Sequence, residues 1–180
     1  MGSIHDPKPV KLFIGILLKD TTLRDELTCL LENSFGAIDI RSELIPFTFT
    51  DYYRSEMGEG LTRIFCSFLT LIDPAELARI KLATNALEKK FADQYASQQV
   101  ARPCNLDPGY LEVSKIILAS TKNFSHRIYL SRGIYAEITL QYQNKHFTDL
   151  PWTYPDFKTE PYQYFLEQVR TAYLSQIKNN

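Results

Sequence analysis

Two segments of this chain are apolar at almost every position, and they constrain the fold more than any other feature. They cover residues 10–18 and 64–72. A strand that is exposed on one face alternates apolar and polar residues, whereas a strand covered on both faces does not alternate. We therefore predict two central strands of a sheet whose faces are both covered.

Helical patterns follow each of these strands. Leucines at helical spacing mark the first helix: Leu23, Leu27, Leu30 and Leu31. The second helix begins with a strong start signal, Asp73 as N-cap, Pro74 at the first helical position and Glu76 at the third. A polar stripe on this second helix is predicted to be a solvated face: Lys81, Asn85 and Glu88.

Residues 38–47 form a further predicted strand, and Pro46 assigns it to an edge because proline cannot donate a ladder hydrogen bond. Residues 10–110 therefore have the order β-α-β-β-α-β. A ferredoxin-like sheet requires its first and third strands to be central and its second and fourth strands to be edges. The predicted fold class is α/β (α+β) with a ferredoxin-like core.

The remainder of the chain predicts antiparallel β-hairpins in residues 111–158 and a C-terminal helix in residues 159–178. A three-residue loop, Ser131-Arg132-Gly133, would place Arg127 opposite Glu137. The same register predicts an apolar hairpin face directed at the core: Ile128, Leu130, Ile134, Ala136, Ile138 and Leu140. No linker composition separates these parts, so residues 1–180 are expected to form a single domain.

Composition narrows the function classes. A net charge of −1 over 180 residues provides no broad basic field, so nucleic-acid binding is not favoured. The longest apolar run is too short to span a bilayer, and the first ten residues lack a signal-peptide pattern, so we expect no membrane association and a cytoplasmic location. Three widely spaced cysteines without a CxxC pattern argue against a disulfide framework and a zinc site.

Chemistry-bearing side chains are concentrated in the second half of the chain. The candidate ligand-binding residues are Asn105, Asp107, Tyr110, Lys115, Lys122, His126, Arg127, Tyr129, Tyr135 and Glu137, joined by Tyr53 and Glu56 from the long segment 49–60. Lys115, Lys122 and Arg127 would hold an anion, since lysine and arginine bind carboxylates and phosphates. Glu137 would orient Arg127, the tyrosines would pack or hydrogen-bond, and Asn105 with Asp107 would complete the polar set.

Each of these assignments has a purely structural alternative. Arg127 and Glu137 suit a cross-strand ion pair, and Asn105-Leu-Asp-Pro-Gly-Tyr110 is a turn signature. His126 falls on the apolar side of the predicted hairpin, where a hydrogen-bonded core histidine is common. Segment 49–60 is either a lid or a loop that packs on itself.

Several motifs are absent from the sequence. It contains no GxxxxGK[ST], GxGxxG, GxSxG or HExxH pattern, which removes support for P-loop hydrolysis, Rossmann cofactors, the hydrolase elbow and zincin chemistry. No cofactor, metal site or reaction is predicted, and whether the protein is an enzyme is left open.

The motifs that are present have a counterpart in a known family. They include Lys8-Pro-Val-Lys-Leu-Phe-Ile-Gly15, Asn105-Leu-Asp-Pro-Gly-Tyr110, His126-Arg-Ile-Tyr129, Gly133-Ile-Tyr-Ala-Glu137 and Trp152-Thr-Tyr-Pro-Asp156. In these blocks the chain resembles the bacterial domain-of-unknown-function family 4416 over almost its whole length. The resemblance implies one intact soluble domain and assigns no activity, cofactor or catalytic residue.

Two functions are carried forward. The first is binding, or processing, of a small anionic ligand with a phosphate or carboxylate group at the polar face of the sheet. The second is a non-enzymatic protein–protein interaction module, such as a homodimer. It would use the exposed aromatic residues Trp152 and Tyr154, since aromatic side chains anchor interfaces.

Overall fold

The computed structural model describes residues 2–97 and 100–178, and these ranges contain nine strands and four α-helices. The strands are β1 (Lys11–Leu18), β2 (Ile38–Arg41), β3 (Ile45–Pro46), β4 (Thr62–Phe68), β5 (Cys104–Leu111), β6 (Lys115–Ser120), β7 (Ile128–Ser131), β8 (Ile134–Gln143) and β9 (His146–Asp149). The helices are α1 (Arg24–Phe35), α2 (Arg54–Met57), α3 (Leu77–Tyr95) and α4 (Glu160–Lys178). The predicted mixture of α and β elements is confirmed.

The strands form one sheet in the order β2-β4-β1-β5-β6-β8-β7, with β3 beside β4 and β9 beside β8. Each named pair is antiparallel. The two apolar segments occupy central positions as predicted, because β1 lies between β4 and β5, and β4 lies between β1 and the short strands β2 and β3. All eight residues of β1 are buried.

Helices cover both faces of the sheet, which explains why β1 has no polar face. On one face, α1 and α3 pack against alternate residues of β1: Leu12, Ile14, Ile16 and Leu18. On the other face, α4 packs its apolar stripe, Phe165, Leu166, Val169 and Tyr173, against Phe13 and Phe65. Within the described residues, no helix is both long and apolar enough to cross a membrane.

Two strand predictions need correction. The predicted strand 38–47 is divided into β2 and β3, and both pieces pair with β4 at the edge of the sheet. The fourth strand of the core, β5, is not an edge, because β6 pairs with its last three residues, Gly109, Tyr110 and Leu111. The sheet therefore continues from the core into the hairpins without interruption.

The Asp-Pro-Gly sequence lies inside β5, so the predicted turn is wrong. The N–H and C=O of Leu106 face away from β1. Pro108 lies two residues further along the strand and has the same orientation. Its missing N–H therefore removes no hydrogen bond between β5 and β1. Gly109 is required by close packing, since a Cβ there would lie 2.5 Å from the carbonyl oxygen of Ile117 in β6. Proline and glycine thus mark the place where β6 begins to pair.

The sheet has a gap between β5 and β6 before Gly109, because β6 pairs only with residues 109–111 of β5. Before Gly109, β5 pairs only with β1, and α3 side chains take the position of a second strand. The N–H of Leu106 donates to Glu88 Oε1 at 2.7 Å, and the C=O of Leu106 accepts from Lys81 Nζ at 2.7 Å. The prediction of a solvated face at Lys81, Asn85 and Glu88 is therefore wrong, because Lys81 is buried and this face supports an open strand edge.

The hairpin of β7 and β8 keeps part of its predicted register. Tyr129 faces Tyr135 as expected, but Ser131 rather than Leu130 faces Ile134. The loop has two residues, Arg132 and Gly133, both with positive φ (52° and 80°), instead of three. Such a turn follows the twist of a hairpin. The one-residue difference at Ser131 is confined to the turn, because an irregularity between Tyr129 and Ser131 restores the predicted register at Tyr129.

The predicted apolar face of the hairpin is only partly confirmed: Ile134, Ala136 and Ile138 pack together on the α3 side, but Ile128, Leu130 and Leu140 do not join them. In β7, Ile128 is 71% exposed, because β7 is the edge strand of the sheet. In β8, an irregularity in pairing skips Thr139, so the residues on its two sides point to opposite faces. Ile138 consequently joins the α3 side, whereas Leu140 is buried on the α4 side.

Candidate functional site

A cavity of about 700 Å³ lies where β5 separates from β6, and we call it the central cavity. Aromatic residues line it: Phe47, Phe49, Tyr52, Tyr53, Phe65, Tyr154 and Phe157. Four cationic residues also line it: Arg63, Lys81, Arg102 and Lys122. Four acidic residues complete the charged wall: Glu88, Asp107, Glu137 and Asp156. The central cavity can therefore contact both an apolar group and a charged group.

Arg63 is the buried cation of this wall. Its side chain extends from β4 across β1, and Nη1 donates to Asp107 Oδ2 on β5 at 3.1 Å. The guanidinium carbon lies 5.3 Å from the ring centroid of Phe47 and 5.8 Å from that of Phe65, so the rings hold the cation in place. Only 4% of Arg63 is exposed, whereas the side chain of Asp107 is 31% exposed, so a ligand can reach the carboxylate directly.

Gly15 leaves the space that this crossing requires. It is the only non-bulky residue in the apolar strand β1, and a Cβ there would lie 2.9 Å from Phe65 Cε1 and 3.1 Å from Arg63 Nη1. Gly15→Ala is therefore expected to lower the free energy of unfolding by about 1–3 kcal/mol, as other overpacked core substitutions do. Urea denaturation measures this loss. Gly2→Ala is the control, because nothing lies within 4 Å of a Cβ at residue 2; equal stability of the two variants would contradict the prediction.

Opposing effects set the pKa values of Arg63 and Asp107. Burial alone would raise the pKa of Asp107, but the positive charges of Lys81 and Arg63 more than offset burial and hold that pKa below its usual value. Burial alone would lower the pKa of Arg63, yet the carboxylate of Asp107 keeps it above its usual value. Both groups are therefore charged at neutral pH.

Asp107 is also connected to α3 through polar side chains. Asn105 Nδ2 donates to Asp107 Oδ2 at 2.6 Å, and the oxygen of the Asn105 amide accepts from Arg102. Arg102 Nη2 in turn donates to Glu88 Oε2 at 2.6 Å. Burial raises the pKa of Glu88, although Lys81 and Arg102 oppose the increase. This chain of contacts fixes the orientation of the Asp107 carboxylate.

A second ion pair lies at the other end of the charged wall. Arg127 Nε donates to Glu137 Oε2 at 2.7 Å, Arg127 Nη2 donates to the hydroxyl of Tyr154 at 2.6 Å, and Arg127 Nη1 donates to the C=O of Lys122 at 2.9 Å. His126 Nε2 lies 3.0 Å from the same Glu137 oxygen. His126 is hydrogen-bonded, as its structural alternative predicted, but it does not lie on an apolar face: it contacts Glu137, and its ring stacks on Trp152 with centroids 5.0 Å apart.

The segment between β3 and β4 crosses the mouth of the central cavity. Lys122 Nζ donates to the hydroxyl of Tyr52 at 2.5 Å, which joins this segment to the loop after β6. Arg102 Nη1 lies 3.3 Å from Glu56 Oε2, which joins the segment to the charged wall. Tyr53 lines the cavity, and burial raises its pKa, so its hydroxyl is protonated at neutral pH.

No metal-binding arrangement was found within residues 2–97 and 100–178, where no three His, Cys, Asp or Glu side chains are placed to hold an ion together. The carboxylates of the central cavity face cations or backbone donors, with Asp107 close to Arg63 and Glu137 close to Arg127.

Comparison with known proteins identifies a family. The sequence model of the family described as domain of unknown function, DUF4416, matches residues 8–173. This chain belongs to the DUF4416 family. No match was found for the DUF4416 chain among curated proteins or among solved structures.

The structure distributes the twelve candidate residues of this DUF4416 protein over three locations. Five line the central cavity: Tyr53, Asn105, Asp107, Lys122 and Glu137. Three contact charged residues of the cavity wall: His126 and Arg127 contact Glu137, and Glu56 contacts Arg102. Four lie elsewhere: Tyr110, Lys115, Tyr129 and Tyr135.

The four outlying residues have local structural roles in the DUF4416 protein. Tyr110 packs on the α3 side of the sheet, and Lys115 pairs with Glu112 at the start of β6. Tyr129 and Tyr135 pack edge to face on the hairpin, with ring centroids 5.4 Å apart. The expectation that they join a common site with Arg127 is therefore not met.

Sequence reasoning missed much of the charged wall of the DUF4416 protein, above all Arg63, Arg102 and Asp156. One signal was available in the sequence, since Gly15 interrupts an otherwise bulky apolar strand and indicates that another group passes close to it. Which group passes there depends on the pairing of β1 with β4, and that pairing joins residues far apart in sequence.

Proposed function

We propose that this protein binds a small anionic organic ligand, with a carboxylate or phosphate group, in the central cavity. The observation that carries the proposal is the convergence of buried ionic groups on a cavity of about 700 Å³, which is a normal size for a small-molecule site. The ligand would enter beneath the segment between β3 and β4.

Lys81 and Glu88 have a structural role at the open edge of β5, but folding alone does not explain the burial of Arg63 beside Asp107. Removing charged side chains from water is unfavourable unless they are paired, and apolar replacements of buried ion pairs are often neutral or stabilising. Arg63 and Lys81 are nevertheless both more than 90% buried and directed at Asp107 in the cavity wall. A binding role accounts for that arrangement.

The anion-binding residues differ from those that the sequence suggested. Arg127 already donates to Glu137, Tyr154 and a backbone carbonyl, so we assign it the role of positioning two residues of the cavity wall. Lys115 is paired outside the cavity. We assign anion binding to Arg63 inside the cavity and Lys122 at its mouth.

Lys122→Ala tests this assignment, with Lys115→Ala as the matched control. Lys122 is exposed and contacts Tyr52, so the substitution should leave the fold intact. Loss of one hydrogen bond to a charged group should weaken binding about tenfold, and Lys115→Ala should leave binding unchanged. Thermal shift against nucleotides, sugar phosphates and carboxylates finds a ligand, and titration calorimetry on both variants measures its Kd.

The thermal-shift screen also tests the proposal itself. A ligand at one hundred times its Kd stabilises the folded state by about 2.7 kcal/mol, which is readily measured. Failure of every anion class to raise the melting temperature would refute anion binding. Equal weakening by Lys122→Ala and Lys115→Ala would refute the assignment of Lys122.

A protein interaction module is the second candidate, and an exposed edge supports it. Strand β7 is an edge strand whose four residues are all exposed, and Ile128 and Leu130 are apolar. Trp152 and Tyr154 are 38% and 43% exposed. The mass in solution distinguishes the candidates: a stable dimer that dissociates on Trp152→Ala would favour this module, and a monomer that binds anions would favour the first proposal.

We also infer a ferredoxin-like core for residues 10–110. The strand order β2-β4-β1-β5, with α1 and α3 packed on one face, supports this description. A cytoplasmic location is part of the same proposal.

A further inference from the structure

One oxygen of the Asp107 carboxylate accepts no hydrogen bond from the described part of the chain. Oδ2 accepts from Arg63 Nη1 at 3.1 Å and from Asn105 Nδ2 at 2.6 Å. Lys81 Nζ lies 3.7 Å from Oδ1, beyond hydrogen-bond distance, and donates instead to the C=O of Leu106. Because the side chain of Asp107 is 31% exposed in the wall of the central cavity, Oδ1 is open to a hydrogen-bond donor of the ligand.

Asn85 adds a second polar group to the same cavity. It lies on α3 one turn after Lys81, and its half-buried side chain lines the central cavity. Its neighbours on this helix face, Lys81 and Glu88, both bond to Leu106, whereas the side-chain amide of Asn85 makes no hydrogen bond to a described residue. An amide both donates and accepts, which matches the hydrogen-bonding capacity of a hydroxyl group.

The donor that suits Asp107 is a neutral hydroxyl rather than an ammonium. Cations already surround the carboxylate: Arg63 and Lys81 lie within 4 Å of it, and Arg102 also helps to lower its pKa. These charges would repel a ligand ammonium, whereas a hydroxyl can donate to Oδ1 without adding charge. The same cations make Asp107 a weak base, so the contact recognises a hydroxyl and does not remove its proton.

The negative charge of the ligand belongs at the mouth of the cavity. Three of the four cations in the wall each face an acidic side chain: Arg63, Lys81 and Arg102. Lys122 has no carboxylate within 4 Å among the described residues, and its Nζ contacts the hydroxyl and the ring of Tyr52. Of the two cations assigned to anion binding, Lys122 is therefore the one that contacts the anion directly, and Arg63 acts on it through its charge.

The rest of the cavity fits a ring with apolar faces and a polar edge. Phe47 and Phe157 line the same space as Asn85 and Asp107. The C–H faces of a sugar ring pack on aromatic side chains, while the hydroxyls at its edge reach a few well-placed polar groups. A monosaccharide with one anionic substituent combines these surfaces with the charge that Lys122 requires.

We propose that the ligand is a sugar phosphate or a sugar acid whose hydroxyls bind Asp107 Oδ1 and the Asn85 amide, with its anionic group beside Lys122. This inference rests on the proposed function, and it adds the hydroxylated body of the ligand, which the proposed function leaves open. Both parts of the ligand are then required, the hydroxyls inside the cavity and the charge at its mouth.

Matched probes separate the hydroxyls from the charge. Glucose 6-phosphate and glucuronate carry a hydroxylated ring with each of the two anion classes. Cyclohexylmethyl phosphate and cyclohexanecarboxylate keep the ring and the anion but have no hydroxyls, and glucose has no charge. Titration calorimetry on the full chain should show at least one hydroxylated anion binding about tenfold more tightly than its hydroxyl-free counterpart and than glucose.

Asn85→Ala tests the inner contacts while preserving the fold, because alanine is the most favourable residue in a helix. The variant should weaken binding of the hydroxylated anion about fivefold and leave its hydroxyl-free counterpart unchanged. Asn33→Ala is the matched control, since Asn33 is an exposed residue of α1 that does not line the central cavity. The control should change the affinity of neither probe.

Asp107→Asn removes the accepting charge itself. It should weaken binding of the hydroxylated anion about tenfold, without weakening the hydroxyl-free anion, because one negative charge fewer remains in the wall. Equal weakening of both probes would assign Asp107 a purely structural role beside Arg63. The probe series and Asn85→Ala provide the test even if this variant, which leaves Arg63 without its carboxylate, does not fold.

The outcomes distinguish this inference from the proposed function. Hydroxyl-free anions that bind as tightly as their hydroxylated counterparts would overturn the sugar assignment and leave anion binding intact. Binding of none of the five probes, when another anion of the thermal-shift screen does bind, would have the same meaning. Binding of none of the probes, together with a negative anion screen, would overturn both proposals.

Discussion

Replacing Arg127 by Met is expected to lower the free energy of unfolding by about 3–5 kcal/mol, the range found when one partner of a buried ion pair is removed. The side chains of Arg127 and Glu137 are 8% and 1% exposed, so water cannot replace the lost guanidinium. Methionine keeps much of the aliphatic volume of arginine and isolates the effect of charge. Urea denaturation measures the difference, with the m-value confirming two-state unfolding.

Two controls make this result specific. Arg79→Met removes the same side chain from an exposed pair with Glu76 and should cost less than about 1 kcal/mol. The double variant Arg127→Met with Glu137→Gln should regain much of the loss, because no buried charge is then left without a partner. If Arg127→Met were no more harmful than Arg79→Met, the pair would not be a buried structural element of the cavity wall.

The Arg127–Glu137 pair also shows which contacts local sequence patterns can predict. A hairpin joins residues that are close in sequence, so turn chemistry predicted both the pairing of Tyr129 with Tyr135 and the contact of Arg127 with Glu137. The error of one residue at Ser131 arose because Arg132, which is not glycine, adopts a positive φ. Non-glycine residues rarely adopt a positive φ, so the two-residue turn could not be predicted from the residue type at position 132.

The polar face of α3 shows where periodicity fails. A spacing of 3.6 residues separates polar from apolar faces, but it does not distinguish solvent from a polar cavity. Lys81 and Glu88 contact Leu106 only because β6 stops pairing with β5 at Gly109. That opening depends on the whole sheet, so a prediction made from the helix alone assigned these residues to solvent.

The inner cavity could not be predicted for a related reason. Its central cation, Arg63, comes from β4, and its acidic neighbours come from β5 and from the segment before α4. Both contacts join residues more than forty positions apart and follow from the strand order. The apolar character of β1 and β4 predicted their central position. Local patterns could not predict which residues of the neighbouring strands lie beside them in the sheet.

Arg63→Met is the second variant with a large expected effect, a loss of about 3 kcal/mol of unfolding free energy at neutral pH. The loss should be at the lower end of the range for buried pairs, because Asp107 keeps its hydrogen bond from Asn105 at 2.6 Å and lies 3.7 Å from Lys81. Asp107→Asn in the same chain should recover much of the loss. A double variant as unstable as Arg63→Met would show that lost packing on Phe47 and Phe65 dominates.

The pH dependence of the same variant separates charge from packing. In the wild-type chain the pKa of Asp107 is lowered, so its ionisation stabilises the fold above the unfolded pKa of about 3.9, and this contribution is lost as pH falls through the folded value. Without Arg63, burial should raise the pKa of Asp107. The deficit of Arg63→Met should therefore be largest near neutral pH and shrink below about pH 4. A deficit that does not change with pH would contradict a stabilising ion pair between Arg63 and Asp107.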